Sequence, residues 1–528
     1  MIETAIAARG MVAAPHRLAA QAGLSVLRDG GNAIEAIIAA AAAITVVYPH
    51  MNSLGGDNFW LIHDGERVRA IDACGAAGQA ATPDFYRERG HASIPSRGPL
   101  AALTVAGAAS GWQAAFELSQ SLGGRLPLTR LFEDAVWHAR EGFAVSRNLH
   151  ATARDRQDEL RDLPGFAVQF LPSGAPPPAG SRLCLPALAN TLNHLARAGL
   201  GDFYHGDLAR SLARDLDAVG SPVTLADLET HRAKAVAPLA LHAFGARIFN
   251  MPPPTQGLAS LIVLGAIERL GDIQPESAGY VHAIVEASKQ AFLVRDRFVT
   301  DPDHMTVDPA SFLESGALDD MAAWIDRERA LPWPQPALPG DTVWLGAADA
   351  DGRVVSFIQS IYWEFGSGVV LPESGIVWQN RGTSFSLDPT ATNPLMPGRR
   401  PFHTIQPALA ILADGRVMAY GAMGGEGQPQ TQAAVFTRYA VHNQPLQQAI
   451  AAPRWLLGRT WGTETANLRI ESRFTPEIIE ALRQRGHDVA VTPPFDEIMG
   501  HAGAVVRRPD GMLEGAADPR GDGAAACF

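Results

Sequence analysis

A dipeptide, Asp341-Thr342, stands where a proline-rich run, Leu331-Pro-Trp-Pro-Gln-Pro-Ala-Leu-Pro-Gly340, meets a strand-like segment, Val343 to Ala348. A threonine at such a junction becomes a new N-terminus if the peptide bond before it breaks. It then offers a hydroxyl as nucleophile and its own α-amine as base. Threonine also favours the β conformation for its own sake. The dipeptide alone therefore leaves a catalytic and a purely structural reading open.

The elements that must position this residue follow from the spacing of apolar side chains. Leu18, Ala22 and Leu27 fall at helical spacing within residues 15–29, and Gly30-Gly31 stops that helix. Asn32 can cap a second helix over about 33–43. The β-branched run Ile44 to Tyr48 is then expected as a strand, and Gly55-Gly56 turns the chain into another strand, Asn58 to His63. From about 100 to 330 the chain reads as mainly helical: 103–122, 128–142, 185–198, 208–219, 258–270 and 278–298. After 341 strands dominate, at 343–348, 353–361, 368–371, 375–378, 406–412 and 416–421. Asp351-Gly352 and Asp414-Gly415 read as hairpin turns. Helices are expected at 428–441 and 445–451, and a helix–strand pair at 475–491. The boundary between the helical and β-rich parts falls at the candidate threonine.

Composition limits the function classes. In 528 residues, 47% are hydrophobic and 19% charged, which predicts a large folded core. A net charge of −12 argues against nucleic acid or anionic membrane as partner, because both are bound by clustered Lys and Arg. Cys74, Cys184 and Cys527 are too few for a disulfide framework or zinc cluster. The start has no secretory pattern, and the apolar stretch 33–48 contains Glu35 and is shorter than the roughly 20 residues of a membrane span. A soluble cytoplasmic protein is expected. No Gly-x-Ser-x-Gly elbow and no His-Glu-x-x-His pair is present. The glycine-rich Gly421 to Gly427 lacks the grammar of a dinucleotide site, so no cofactor and no metal are expected.

Several separated motifs occur in one order: Met11-Val-Ala-Ala-Pro-His16, Gly30-Gly-Asn-Ala-Ile-Glu-Ala36, Pro49-His-Met-Asn-Ser-Leu-Gly-Gly-Asp57, Pro397-Gly-Arg-Arg-Pro401 and Gly424-Gly425. Together they resemble the γ-glutamyltransferase family over nearly the whole chain. The resemblance implies an N-terminal-nucleophile hydrolase, an α+β protein with a four-layer αββα sandwich. It would be made as one precursor that cuts itself into a large subunit, 1–341, and a small subunit, 342–528, which stay associated and could pair further into a dimer of heterodimers. Aligning Asp349-Ala-Asp-Gly352 with the family's Asp-x-Asp-Gly turn puts Thr342 on the nucleophile and the cleavage site at Asp341-Thr342. Gly424 and Gly425 match the glycines whose backbone N–H groups form the oxyanion hole, and Ser360 matches a second hydroxyl beside the nucleophile.

The chain departs from the family where the γ-glutamyl group is read. Val343-Trp344 follow the nucleophile in place of Thr-His. Tyr362 replaces an asparagine, Ser384 the acid that holds the α-ammonium, and His403-Thr404 a serine pair. Arg381 replaces a polar residue, and Ala73 falls on the carboxylate-gripping arginine. Trp344, Tyr362, Trp363 and Trp378 would add bulk near the site. Arg381 would bring a bidentate carboxylate binder, with Arg399 and Arg400 as weaker candidates. The expected substrate is a small amide with a carboxylate and no α-amine, of the oxamate type, with Arg381, Tyr362, Trp344, His403 and Thr404 around it. Two alternatives stand beside this: a γ-glutamyl hydrolase or transferase acting on glutathione-like compounds, and an uncleaved, non-catalytic scaffold.

Overall fold

The computed structural model describes residues 3–271, 273–334, 340–458 and 465–528. Two seven-stranded antiparallel sheets form the centre. One runs in the order Ala5–Ala7, Leu513–Ala517, Ala502–Arg507, Val417–Ala422, Ala408–Ile411, Ala246–Asn250, Leu239–Ala243. The other runs Ala524–Cys527, Gly10–Ala14, Asp341–Asp349, Val354–Tyr362, Asp57–His63, Val68–Ala73, Lys234–Val236. Residues before and after Asp341 thus interleave in both sheets.

The strand Asp341–Asp349 is buried on both faces. Val343, Leu345 and Ala347 pack outward with the helices Arg17–Arg28 and Ala33–Val47. Trp344 and Ala348 point the other way, into a layer with Met11, Phe59, Leu409 and Val505 between the sheets. The period-2 alternation of a strand sets both contacts. Helices Gly257–Arg269, Ala278–Phe298 and Gly427–Phe436 cover the opposite sheet. The result is the four-layer αββα sandwich.

Several local expectations hold. Asn32 caps Ala33–Val47 with a capping box, its side chain accepting from the Ile34 and Glu35 N–H groups. The turns at Asp351-Gly352 and Asp414-Gly415 place glycine at φ 95° and 87°, where other residues are strained. The strand expected at Ile44–Tyr48 does not form: Ala33–Val47 is one helix, buried all round. Burial on every side overrides the β preference of Ile44, Thr45, Val46 and Val47, and the Thr45 hydroxyl donates back to Ala42 O. The segments 368–371 and 375–378 meet only at a single bridge, Val370 to Val377. The helical middle also holds a hairpin, Leu239–Ala243 and Ala246–Asn250, turned by Phe244 and Gly245 at φ 54° and 71°.

Candidate functional site

The groups around the Asp341–Thr342 bond converge on its carbonyl. Thr342 Oγ1 donates to Asp341 O at 2.5 Å. Ser360 Oγ donates to the same oxygen and accepts from the Tyr362 N–H at 2.8 Å. A β-bulge makes this possible. Pairing shifts from Asp341 with Tyr362 to Val343 with Gln359, so Ser360 and Ile361 together stand opposite Thr342. The extra residue re-aims Ser360, and Tyr362 takes a left-handed φ of 83°. A strained conformation held by its surroundings is a mark of a functional site. Asp341 Oδ1 accepts from the Thr342 N–H at 2.9 Å. Burial pushes the Asp341 carboxyl well above the usual carboxylate range, and the nearby Glu364 charge adds to this.

The residue before the scissile pair marks a pocket. A Cβ on Gly340 would lie 2.9 Å from Thr404 Oγ1, 3.2 Å from Gly425 Cα and 3.6 Å from Tyr362 Cε2. The backbone of Gly340 therefore occupies the space that Thr404, Gly425 and Tyr362 enclose. Gly424 and Gly425 take φ values of 118° and 50°, which only glycine adopts freely. Their loop is pinned from behind: Gln256 Nε2 donates to Gly425 O at 2.8 Å and to Thr404 O at 2.5 Å. Arg295 in turn donates to Gln256 Oε1 and pairs with Glu426 at 2.6 Å.

Arg381 closes the group. It is 2% exposed, and its guanidinium lies 3.2 Å from the centroid of the Tyr362 ring. Nη1 donates to Thr404 Oγ1 at 3.3 Å, while Nε and Nη2 are buried with no hydrogen-bond partner among the described residues. Burial lowers the Arg381 pKa, opposed by the charges of Tyr362 and Asp57. Guanidinium stays charged in proteins, so this is a buried cation with two nitrogens, Nε and Nη2, unbonded among the described residues.

Other sequence candidates fall elsewhere. Trp344 is a packing residue: its indole lies between the sheets, bonded to Ser356 Oγ at 2.9 Å, in room left by Gly346, Gly421 and Gly503. Trp378 is fully buried and donates to Thr104 O. Trp363 is half-buried, with the Arg97 guanidinium 5.3 Å from its ring. His403 backs the site without lining it: Nε2 bonds Asp57 Oδ2 at 3.0 Å, Nδ1 bonds Pro401 O at 2.9 Å, and the ring is 0% exposed. Ser384 donates to Phe402 O. Ala73 is buried, its carbonyl against Gly107. Arg399 Nη2 donates to Thr300 Oγ1 and Thr392 O, and Arg400 is paired with Asp72, Asp301 and Asp303.

Among the described residues two buried groups bring possible metal-ligand atoms together: Asp57, Cys74, His403 and His282, Glu286, His487. Their atoms are already spent. Asp57 Oδ1 accepts from the Gly75 and Gly107 N–H groups. Glu286 holds Lys289 and the Leu331 N–H, and the two histidines bond each other at 2.8 Å.

A family model described as gamma-glutamyltranspeptidase matches residues 19–528. The chain belongs to the gamma-glutamyltranspeptidase family. It is 55% identical over 527 residues to an oxamate amidohydrolase proenzyme of Klebsiella pneumoniae, covering 99% of each chain. It is 40% identical over 529 residues to a glutathione hydrolase-like proenzyme of Bacillus subtilis, again covering 99% of each. Among solved structures, a cephalosporin acylase from Bacillus halodurans superposes with a TM-score of 0.92 at 33% identity, covering 100% of this chain and 97% of that one. These relatives are amide-bond hydrolases of the N-terminal-nucleophile type, and this gamma-glutamyltranspeptidase homologue is an enzyme of that class.

Proposed function

We propose that the protein is a self-processing amidohydrolase whose nucleophile is Thr342 and whose substrate is a small amide carrying a carboxylate, oxamate in particular. The observation that carries the substrate reading is Arg381, a buried guanidinium with two nitrogens unpartnered among the described residues, beside the Gly340 space. The Klebsiella relative named as an oxamate amidohydrolase supports it. In the precursor, Thr342 Oγ1 attacks the Asp341 carbonyl that Ser360 polarises. Cutting gives a large subunit of residues 1–341 and a small one of 342–528. Their strands interleave, so they remain a heterodimer.

In the mature enzyme the freed Thr342 amine takes the hydroxyl proton as Oγ1 attacks the amide carbonyl. The Gly424 and Gly425 N–H groups receive the developing oxyanion, each such donor contributing about 3–4 kcal/mol. Arg381 holds the carboxylate by a bidentate bond, with Thr404 and the Tyr362 ring fixing the fork. Ammonia leaves with the returned proton, and water hydrolyses the acyl ester. Wild-type protein is expected to release ammonia from oxamate, and Thr342→Ala to remain full length and inactive. Equal rates from both would sink the assignment.

A further inference from the structure

Asp341 also lines a cavity of about 110 Å³ with Asn148, Arg156, Glu364 and Glu497. That is several times the roughly 10–15 Å³ a single water needs. Polar side chains line much of it, and among the described residues one acceptor is unmet: Asp341 Oδ1 is held by the Thr342 N–H, while Oδ2 is buried with no partner. The two glutamates differ in what holds them. Glu364 is paired with Arg156 at 3.0 Å and Arg97 at 3.8 Å. Glu497 has no ion-pair partner among the described residues, and its carboxylate accepts from Asn148 Nδ2. Asn148 Oδ1 in turn faces His50 Nε2, which fixes the amide so that its N–H points at Glu497.

We propose that this cavity holds the water that completes self-cleavage, with Glu497 as its general base and Asn148 and His50 as positioning residues. The inference rests on the reading that Thr342 severs the bond before it. First, Thr342 Oγ1 adds to the Asp341 carbonyl carbon, the C–N bond breaks, and the hydroxyl proton passes to the departing nitrogen. An ester now joins Asp341 to Thr342 Oγ1. Second, the cavity water adds to the same carbon as Glu497 takes its proton. The C–Oγ1 bond breaks and Oγ1 recovers the proton, leaving the Asp341 carboxyl and a free Thr342. Glu364 is already held by Arg156 and Arg97, which leaves Glu497 as the carboxylate free to face the water. Burial raises the Glu497 carboxyl, which strengthens it as a proton acceptor.

The test separates the two steps in the full-length chain. Glu497→Gln is expected to slow the second step about 10²-fold or more. Full-length protein then accumulates as an ester, which mild hydroxylamine severs between Asp341 and Thr342, leaving a hydroxamate on the large fragment. Asn148→Ala, with the base present but loose, is the second variant, and a smaller build-up of the same ester is expected. Wild-type protein that never cuts would overturn the Thr342 reading itself. Wild-type cutting with Glu497→Gln cutting at the same rate overturns only the inference. So does Glu497→Gln remaining uncut and resistant to hydroxylamine while Asn148→Ala cuts normally.

Discussion

At the scale of single residues, the proposed substrate reading rests on Arg381. A buried cation without a carboxylate partner is costly by itself, yet two of its nitrogens are left unbonded. Replacing it with leucine removes that cost, so Arg381→Leu should fold and cut itself as the wild type does. Its kcat/KM for oxamate should fall about 10²-fold, near 3 kcal/mol for a charge-assisted bond lost. Its rate on oxamide, which has no carboxylate, should change little. Arg381→Lys should recover only part, because an ammonium lacks the fork. Steady-state kinetics on both amides check this, and an equal loss on both would show that Arg381 does not read the carboxylate. The residues proposed for the reaction, Thr342, Ser360, Gly424, Gly425 and Arg381, stood out in the sequence because each lies in or beside a short local motif. Gln256, Asn148 and Glu497 were not, since they reach the site from distant parts of the chain. Asp57 was visible only as the end of the Gly-Gly-Asp motif, with nothing to announce its bond to His403 across 346 positions.

At the scale of elements, the strand of Thr342 is fixed by the indole two residues on. Trp344 was expected at the substrate because it follows the nucleophile, but alternation sends it between the sheets. The signal lay in three glycines, Gly346 on the same strand and Gly421 and Gly503 on the facing sheet, the latter two needed only once the sheets are stacked. A Cβ on Gly421 would stand 2.2 Å from Trp344 Cδ1, and one on Gly503 2.4 Å from Cζ3. A rigid ring hemmed on both sides cannot swing away. Gly421→Ala should therefore cost about 1–3 kcal/mol. Thermal unfolding of the uncut Thr342→Ala chain reads this cost without interference from cleavage. The penalty should shrink in a Trp344→Phe background, where the smaller ring leaves room, and an undiminished penalty would place the clash elsewhere. The run Ile44 to Val47 was misread for a related reason: β-branched residues are a weak strand signal where every face of the segment is buried, as it is in this helix.

At the scale of the whole molecule, burial keeps a set of histidines neutral, and this sets the acid limit of the fold. His16, His50, His487 and His501 are all pushed down from 6.5 to about 3, burial being the first cause in each. The unfolded chain binds protons at these positions near pH 6.5 and the folded one does not. Stability from them is therefore full above 6.5 and is lost as pH falls toward about 3. Buried carboxyls act in the opposite sense. Asp72, Asp341 and Glu497 are raised by burial, so acid relieves their cost as pH drops toward their unfolded values. The two sets overlap below neutrality, and a simple pH scan would mix them. His16→Asn separates one histidine from the rest. His16 caps the first long helix by accepting from the Leu18 N–H at 3.3 Å, and asparagine can make the same bond without titrating. Between pH 6.5 and 4.5 the wild type should lose stability faster than His16→Asn by about 1.4 kcal/mol per pH unit, one proton's worth. Denaturant unfolding at stepped pH measures the difference. Parallel slopes would mean that His16 takes up its proton in the folded state, and that its place against Tyr48 and His50 is less dry than its burial indicates.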